Sequence, residues 1–256
     1  MIKAVFFDID GTLISFKAHT INSQTLKALY SAKQNGVKLF IATGRHKLET
    51  YRFNGFKFEG HVTMNGQYCF NQEKVIYKNP IDKLSVQSVI SIAQKSGEAY
   101  MFFEENNVYL NKKNIYVEKV LEDINVTNIQ IEDLSSFSDK EIFQIVSFVN
   151  VEKEDEVKKQ LPSCEVTRWH PLFMDINPKG GNKKLGIQKM LEYYSISPDE
   201  IMTIGDGEND ISMLELAQYS VAMGNASDEV KSHAKYITSS VDQDGVIQAL
   251  KHYQII

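Results

Sequence analysis

The sequence predicts an α/β protein with a doubly wound, parallel, Rossmann-like core and an inserted α+β cap domain. Near both ends of the chain, short apolar runs alternate with amphipathic helical patterns, which is typical of a parallel sheet covered by helices. In the middle, paired short strands flank turn residues, which favours antiparallel pairing. We therefore assign residues 1–80 and 178–256 to the core and residues 81–177 to the cap.

The N-terminal elements follow a strand, helix, strand order. Residues 3–7, Lys-Ala-Val-Phe-Phe, form a short and mainly apolar run that predicts a strand buried on both faces. Residues 22–34 have apolar side chains at helical spacing, and residues 37–42 form a second apolar run. In a parallel sheet, the polar turns that follow the two strands fall at the same edge. These turns begin at Asp8 and Thr43.

The C-terminal third continues the same alternation, so we assign it to the core together with the N-terminus. Strands are predicted at residues 201–204, 219–222 and 236–237, and helices at residues 183–194, 228–233 and 246–252.

The middle of the chain predicts an α+β arrangement. A hairpin at residues 68–77 precedes it, and linkers are expected near Pro80 and Pro178. The predicted strands are at 100–104, 108–110, 143–149 and 164–169, and the predicted helices at 84–95, 115–124 and 151–161.

The composition excludes several classes of function. The chain has 256 residues, a formal net charge of -5 and no run of Lys or Arg, so the positive surface of a nucleic-acid binder is not expected. It has no apolar run of membrane-spanning length, and Cys69 and Cys164 have neither zinc-site nor disulfide spacing. We expect a cytoplasmic protein, a monomer or weak homodimer, that acts on a small molecule and binds neither nucleic acid nor membrane.

Two carboxylates stand at the end of the first predicted strand. Asp8 and Asp10 are two residues apart, so their side chains are expected to point in similar directions. Such crowding is costly unless a cation neutralises the charge or one carboxyl holds a proton. The pattern indicates metal binding, acid–base chemistry or both, with a solvated turn as the alternative. A calcium loop is excluded because the following residues lack the necessary oxygen ligands and terminal Glu.

A second group of oxygen donors follows the predicted strand at 201–204. The run Gly-Asp-Gly-Glu-Asn-Asp ends at Asp210 and directly precedes a helical pattern. Asp206 is the expected partner of Asp8 on one Mg²⁺, a cation that prefers carboxylate and water oxygens. We expect Asn209 or Asp210 to cap the helix that follows.

Groups that suit a phosphate are found at two further places. Thr43, Gly44 and Arg45 supply a hydroxyl, a closely approaching backbone N–H and a cation, which suits a phosphate cradle. Lys183 and Lys184 open a predicted helix, where positive charge opposes the helix dipole. A charge partner is therefore expected there, with a solvated face as the alternative.

In this order, the four motifs resemble those of the haloacid dehalogenase superfamily, and within it the Cof-type sugar phosphatases with a large α/β cap. The run from Asp8 to Thr12 is similar to the DxDGT motif, and Gly205–Asp210 to GDxxND. Thr43-Gly-Arg resembles the second motif and Lys183 the single lysine. Lys184 stands where the subfamily often has glycine, so either lysine could face the phosphate.

The resemblance implies a Mg²⁺-dependent phosphatase that hydrolyses small phosphorylated metabolites, above all hexose phosphates, through an aspartyl-phosphate. It implies that Asp8 is the nucleophile, that Asp10 is first general acid and then base, and that Lys183 stabilises charge. The implied metal ligands are Asp8, Asp206 and, through its backbone carbonyl, Asp10. Thr43 and Asn209 are implied to bind phosphate beside Gly44, and Asp210 to orient Lys183 or a metal-bound water.

The identity of the leaving group is expected to be determined by the cap and by nearby loops. The candidates for substrate specificity are Arg45, Asn65 and Arg168. For Trp169, His170 and Phe173, packing inside the cap is favoured over stacking on a ligand. Two alternative functions stay open: a phosphomutase with the same chemistry, and a ligand sensor without catalysis.

Overall fold

The computed structural model describes residues 1–17, 20–50, 53, 55–123 and 129–256. The chain divides into two compact units. The first, which we call the core, consists of Met1–Tyr77 and Asn182–Ile256, and the second, which we call the cap, consists of Lys78–Gly181.

In the core, strands alternate with α-helices at the two ends of the chain, whereas in the cap each α-helix is followed by two strands. In chain order the strands are β1 (Ala4–Phe7), β2 (Lys38–Ala42), β3 (Gly60–Thr63), β4 (Tyr68–Asn71), β5 (Val75–Lys78), β6 (Tyr100–Phe103), β7 (Val108–Leu110), β8 (Gln130–Ile131), β9 (Gln144–Ser147), β10 (Cys164–His170), β11 (Phe173–Pro178), β12 (Ile201–Gly205), β13 (Tyr219–Ala222) and β14 (Tyr236–Ile237). The helices are α1 (Ser23–Gln34), α2 (Lys83–Ser96), α3 (Ile115–Asp123), α4 (Glu154–Gln160), α5 (Lys183–Tyr194), α6 (Ile211–Leu216), α7 (Asp228–Ser232) and α8 (Gly245–His252).

The core contains an eight-stranded sheet in the order β14-β13-β12-β1-β2-β3-β4-β5. Its central strands are parallel, and Phe7 of β1 is in register with Ile41 of β2 and Ile204 of β12. The residues that follow these three strands therefore leave the sheet at one edge. This edge carries the polar motifs.

Helices cover both faces of the core sheet. On one face, Leu29 of α1 and Leu250 of α8 belong to the same buried cluster as Phe7. On the other face, Ile187 of α5 and Met213 of α6 pack with Phe6. Successive residues of β1 are thus buried on opposite faces, as the apolar run at residues 3–7 predicts. The predicted doubly wound α/β core is confirmed.

The cap is an α+β unit built on a six-stranded sheet in the order β10-β11-β9-β6-β7-β8. Its strand pairs are antiparallel except for β7 with β8. Val86 of α2 and Val157 of α4 pack in one buried cluster with Phe102, and Val117 of α3 packs in another with Met101. The inserted α+β unit is thus a separate sheet with its own cores.

The structure corrects three details of the predicted elements. Strands β3, β8 and β11 were not predicted. Asn177 and Pro178, where a linker was expected, are the last residues of β11 and pair with β10. Strand β11 lacks the apolar pattern of a buried strand because two of its buried residues, Asp175 and Asn177, are polar. The helix expected at 151–161 begins as a 3₁₀ turn at Val151–Lys153. The predicted end of α3 at residue 124 lies outside the described residues.

Within the described part of the chain, every helix is too short or too polar to cross a membrane. Both cysteines are buried and unpaired.

Candidate active site

The predicted motifs of the core meet at the edge where β1, β2 and β12 end. Asp8 follows β1, Thr43 follows β2, and Asp206 follows β12. The backbone N–H of Asp8 donates to the carbonyl of Ile204 at 3.0 Å, which holds the loops after β1 and β12 side by side.

Lys183 lies at the centre of this edge and is fully buried. Its Nζ contacts Asp8 Oδ1 at 2.6 Å and Asp210 Oδ1 at 2.5 Å. The side chain of Asn182 caps α5 by accepting the N–H of Leu185, so the first residue of the helix is aimed at the site. Lys183 rather than Lys184 makes these contacts, and the expected charge partners are Asp8 and Asp210.

The charges around this contact shift the pKa values of Asp8 and Lys183. Burial raises the pKa of the Asp8 carboxyl well above its usual range, Lys183 lowers it in part, and the charges of Asp210 and Asp206 raise it further. Burial by itself lowers the pKa of the Lys183 ammonium, but the carboxylates of Asp210 and Asp8 more than offset this, so its pKa lies above its usual value. Lys183 is therefore a fixed positive charge beside Asp8.

Asp8, Asp206 and Asp210 form an acidic cluster in which one oxygen of each carboxylate lies within 4.8 Å of the others. Burial and the charge of Asp210 raise the pKa of Asp206 to about 7, although the hydroxyl of Thr12 opposes this. Carboxylate oxygens are the donors that Mg²⁺ prefers, and a cation would relieve the repulsion that raises these pKa values. The residues present therefore fit a magnesium ion.

Asp10 has a different partner from the one expected. Its carboxylate pairs with Arg45, with Nε to Oδ2 at 2.7 Å and Nη2 to Oδ1 at 2.6 Å, and it is not part of the acidic cluster of described residues. A guanidinium matches a carboxylate with two parallel hydrogen bonds, so Arg45 is a strong partner for this side chain. The Asp10 carboxylate is still close enough for its charge to raise the pKa of Asp8, and its own charge is neutralised by Arg45.

The residues predicted to bind phosphate lie around Gly44. Thr43 is buried, and its hydroxyl accepts the N–H of Arg45 at 3.1 Å. A Cβ at Gly44 would lie 3.2 Å from Asn65 Oδ1 and 3.6 Å from Asn209 Nδ2. The amide of Asn209 donates to Asn65 Oδ1 at 3.0 Å. The structure thus brings Thr43, Gly44, Asn65 and Asn209 together.

The capping expected of Asn209 or Asp210 is made by Asp210 at the 3₁₀ turn Glu208–Asp210, which leads directly into α6, and not at α6 itself. Asp210 Oδ2 accepts the N–H groups of Asp206 at 2.8 Å and of Gly207 at 2.9 Å, and no side-chain capping bond is made at the start of α6 within the described structure. One carboxylate oxygen of Asp210 thus accepts hydrogen bonds within the loop after β12, and the other contacts Lys183.

Arg168, the third specificity candidate, belongs to the cap. Its guanidinium donates to Glu154 Oε2 at 2.6 Å and to the carbonyls of Val149 at 2.7 Å and Pro171 at 3.3 Å. Phe173 is buried beside Phe148, as expected for packing inside the cap. The side chains of Trp169 and His170 lie outside what the structure describes.

Two residues at this edge were not singled out from the sequence as functional. The hydroxyl of Thr12 donates to Asp206 Oδ1 at 2.8 Å, and the amide of Asn225 donates to Asp206 Oδ2 at 3.0 Å. Thr12 lies in the first motif. Asn225 follows β13, a strand whose carboxyl end faces the same edge, and this position is the signal that could have identified it.

Comparison with known proteins agrees with these motifs. A model of the haloacid dehalogenase-like hydrolases matches residues 5–250. The structure is similar to that of BT4131, described as a HAD subclass IIB sugar phosphatase, with 41% identity, a TM-score of 0.93, and coverage of 99% of this chain and 100% of that chain.

Two relatives from Bacillus subtilis (strain 168) match over nearly their whole length. YkrA, which its name provisionally assigns to the phosphatases, is 30% identical over 99% of this chain and 98% of its own. YitU, named as a 5-amino-6-(5-phospho-D-ribitylamino)uracil phosphatase, is 26% identical over 97% of this chain and 96% of its own.

Proposed function

Because the chain belongs to the haloacid dehalogenase-like hydrolases, we propose that it hydrolyses small phosphorylated metabolites through an aspartyl-phosphate on Asp8. Membership of this family confirms the resemblance found in the sequence. The phosphatase names of the relatives also bear out the predicted enzyme class, a phosphoric monoester hydrolase.

The observation that carries the proposal is the contact between Lys183 and Asp8 at 2.6 Å inside the protein. The ammonium of Lys183 favours the charged form of the Asp8 carboxyl and opposes the effect of its burial, and a charged carboxylate can act as a nucleophile. The same ammonium supports the negative charge of a phosphoryl group that arrives at Asp8. Asp210 holds Lys183 in place from the other side.

The proposed reaction has two steps. In the first, a carboxylate oxygen of Asp8 bonds to phosphorus while the bond from phosphorus to the leaving oxygen breaks, and Asp10 gives that oxygen a proton. In the second, Asp10 takes a proton from water as the water attacks phosphorus, and the bond to Asp8 breaks. For Asp10 to act in this way, its carboxyl must leave Arg45 and contact the leaving oxygen.

Asp8, Asp206 and the backbone carbonyl of Asp10 are the proposed ligands of Mg²⁺. When bound, the ion would neutralise charge on the transferring phosphoryl group. Thr43, Gly44 and Asn209 are the proposed phosphate contacts, because they converge beside the same sheet edge.

Hexose phosphates are the proposed substrates, and the similarity to a sugar phosphatase supports them. A phosphorylated flavin precursor is the second candidate, because YitU is named for one. Arg45 and Asn65 are the proposed contacts to the leaving group. Arg168 can serve in this way only if its guanidinium exchanges Glu154 for substrate.

The test is a screen of phosphorylated sugars, nucleotides and cofactor precursors for release of inorganic phosphate, with Asp8→Asn as the control. We expect Asp8→Asn to fold and to retain less than about one per cent of the activity, because an amide cannot attack phosphorus. Acid-quenched wild-type enzyme should carry a phosphoryl group on the peptide that contains Asp8.

Two results would contradict the proposal. Transfer of the phosphoryl group to a second hydroxyl, without phosphate release, would indicate a phosphomutase. Ligand binding without any turnover would indicate a sensor.

A further inference from the structure

Asn225 joins the two loops that carry the proposed metal ligands. It lies outside the four motifs, in the loop after β13. Its Nδ2 donates at 3.0 Å to the carbonyl of Gly11 and at 3.0 Å to Asp206 Oδ2. Gly11 belongs to the loop after β1 and Asp206 to the loop after β12, so one amide group contacts both.

We propose that Asn225 is a positioning residue that orients the carboxylate of Asp206 for Mg²⁺, an inference that rests on the metal site of the proposed function. Residues that hydrogen-bond to a metal ligand fix its orientation, and their loss typically weakens metal binding about 10- to 100-fold. Asn225 makes this kind of contact to Asp206.

The orientation of the Asn225 amide is determined by its oxygen. Oδ1 accepts the backbone N–H of Val241 at 2.9 Å, so Nδ2 is the atom that faces Asp206 and Gly11. The opposite assignment would place an oxygen against a carboxylate and a carbonyl, which cannot donate.

The backbone around Asn225 is held closely against a neighbouring loop. The N–H of Gly224 donates to the carbonyl of Ser239 at 3.0 Å, and the N–H of Thr238 donates to the carbonyl of Ala222 at 3.0 Å. A Cβ at Gly224 would lie 2.7 Å from the backbone nitrogen of Ser240. These contacts place the Asn225 side chain on a fixed backbone, which a positioning residue requires.

The carboxylate of Asp206 is held from both sides. Thr12 donates to Oδ1 at 2.8 Å, and Asn225 donates to Oδ2. A carboxylate oxygen has two lone pairs, so each oxygen can still accept a metal. A Cβ at Gly11 would lie only 2.1 Å from Asp206 Oδ2, which shows how closely the carboxylate approaches the loop after β1.

Without Asn225, Thr12 would be the remaining side-chain hydrogen bond to this carboxylate among the described residues. The charges of Asp210 and Asp10 repel Asp206, so the carboxylate would be free to turn away from the site. The expected consequence is weaker Mg²⁺ binding with an intact fold. Asn225 is exposed, so its truncation opens no cavity in the core.

The test measures Mg²⁺ binding by titration calorimetry, together with the Mg²⁺ concentration that gives half-maximal phosphate release. For Asn225→Ala we expect both constants to rise by the same factor, about 10- to 100-fold. At saturating Mg²⁺, kcat should return to within a few-fold of the wild type. The matched control is Asn35→Ala, which removes an asparagine contact to the carbonyl of Ile255 at 2.8 Å and should leave Mg²⁺ binding unchanged.

A second variant tests the orientation of the amide without removing it. Val241→Pro removes the N–H that Asn225 Oδ1 accepts, and the extended backbone of Ser240, with ψ 164°, is compatible with a following proline. We expect a smaller loss of Mg²⁺ affinity in the same direction. If Asn225→Ala fails to fold, Val241→Pro provides the test of the inference.

The outcomes separate the inference from the proposed function. Absence of Mg²⁺ binding by the wild type would overturn the proposed metal site. Binding by the wild type with the same affinity in Asn225→Ala or Val241→Pro would overturn the role of Asn225 alone. A fall in kcat that saturating Mg²⁺ does not restore would also overturn it.

Discussion

The core and the cap bury polar side chains in different ways. In the core, the charged groups of Lys183, Asp8 and Asp210 are all buried and lie in contact at 2.6 Å or less. In the cap, Gln144 and Asn177 are 3% and 5% exposed, yet Gln144 Oε1 and Asn177 Oδ1 have no hydrogen-bond partner among the described residues.

The difference follows from the cost of burying charge. An unpaired buried charge costs far more than an unpaired amide oxygen, so the core can hold ionised groups only as a nearly neutralised set. One ammonium faces the carboxylates of Asp8 and Asp210, so this group keeps a negative charge that a bound cation would offset. The cap can retain neutral acceptors without partners, at a cost of about 1–3 kcal/mol each.

The largest effect is expected when the buried ion pairs of Lys183 with Asp8 and Asp210 are broken. In Lys183→Met, the carboxylates of Asp8 and Asp210 remain buried without their cation. We expect turnover to be lost and the free energy of unfolding to fall by about 3–5 kcal/mol, measured by urea denaturation without metal. Lys184→Met is the matched control and should change stability by less than about 0.5 kcal/mol. Equal stability of the two variants would contradict the comparison.

The pH dependence of metal-free stability gives a second test of the core. Burial and the charge of Asp210 raise the pKa of Asp206 from 3.8 to about 7. A raised carboxyl pKa stabilises the fold below pH 3.8, and this contribution is lost as pH rises through about 7. We expect the Tm in EDTA to fall over this range, and Mg²⁺ to restore it at the upper end.

Asp206→Asn should reduce this pH dependence, because an amide does not titrate, and the part that remains should come from Asp8, whose pKa is also raised. A wild-type Tm in EDTA that rises steadily between pH 4 and about 7 would contradict the raised pKa of Asp206.

A smaller effect is expected from the charge pair of the cap. Hydrogen bonds from Lys158 and Arg168 lower the pKa of Glu154, but the pair is only partly buried. We expect Glu154→Gln to lower stability by about 1 kcal/mol, measured by thermal unfolding. Glu156→Gln, on the exposed side of the same helix, is the control. A large change in KM with unchanged stability would instead indicate that Arg168 acts on substrate.

The smallest effect is expected where the cap has a buried amide oxygen without a donor among the described residues. Gln144→Met replaces a buried oxygen that has no donor among the described residues with an apolar side chain of similar size. We expect the free energy of unfolding to stay within about 1 kcal/mol of the wild type or to rise. A loss above about 2 kcal/mol would show that the amide is paired, and the contrast with the core would fail.

Local patterns in the sequence were sufficient for the fold class and for much of the site. Strands β1, β2 and β12 are apolar runs that end abruptly at polar motifs, and parallel strands bring their carboxyl ends to one edge. The convergence of Asp8, Thr43 and Asp206 could therefore be predicted without a structure. Strand β11 could not, because Asp175 and Asn177 are polar residues buried by their surroundings.

Which polar side chains pair with each other could be determined only from the folded structure. The pairing of Asp10 with Arg45, the burial of Lys183 instead of Lys184, and the contacts of Asn225 all join segments far apart in sequence. Sequence spacing indicates which direction a side chain takes along a strand or helix. Hydrogen bonds and ion pairs form only within about 3–4 Å. The separation of two loops on that scale is determined by the packing of the strands and helices that carry them.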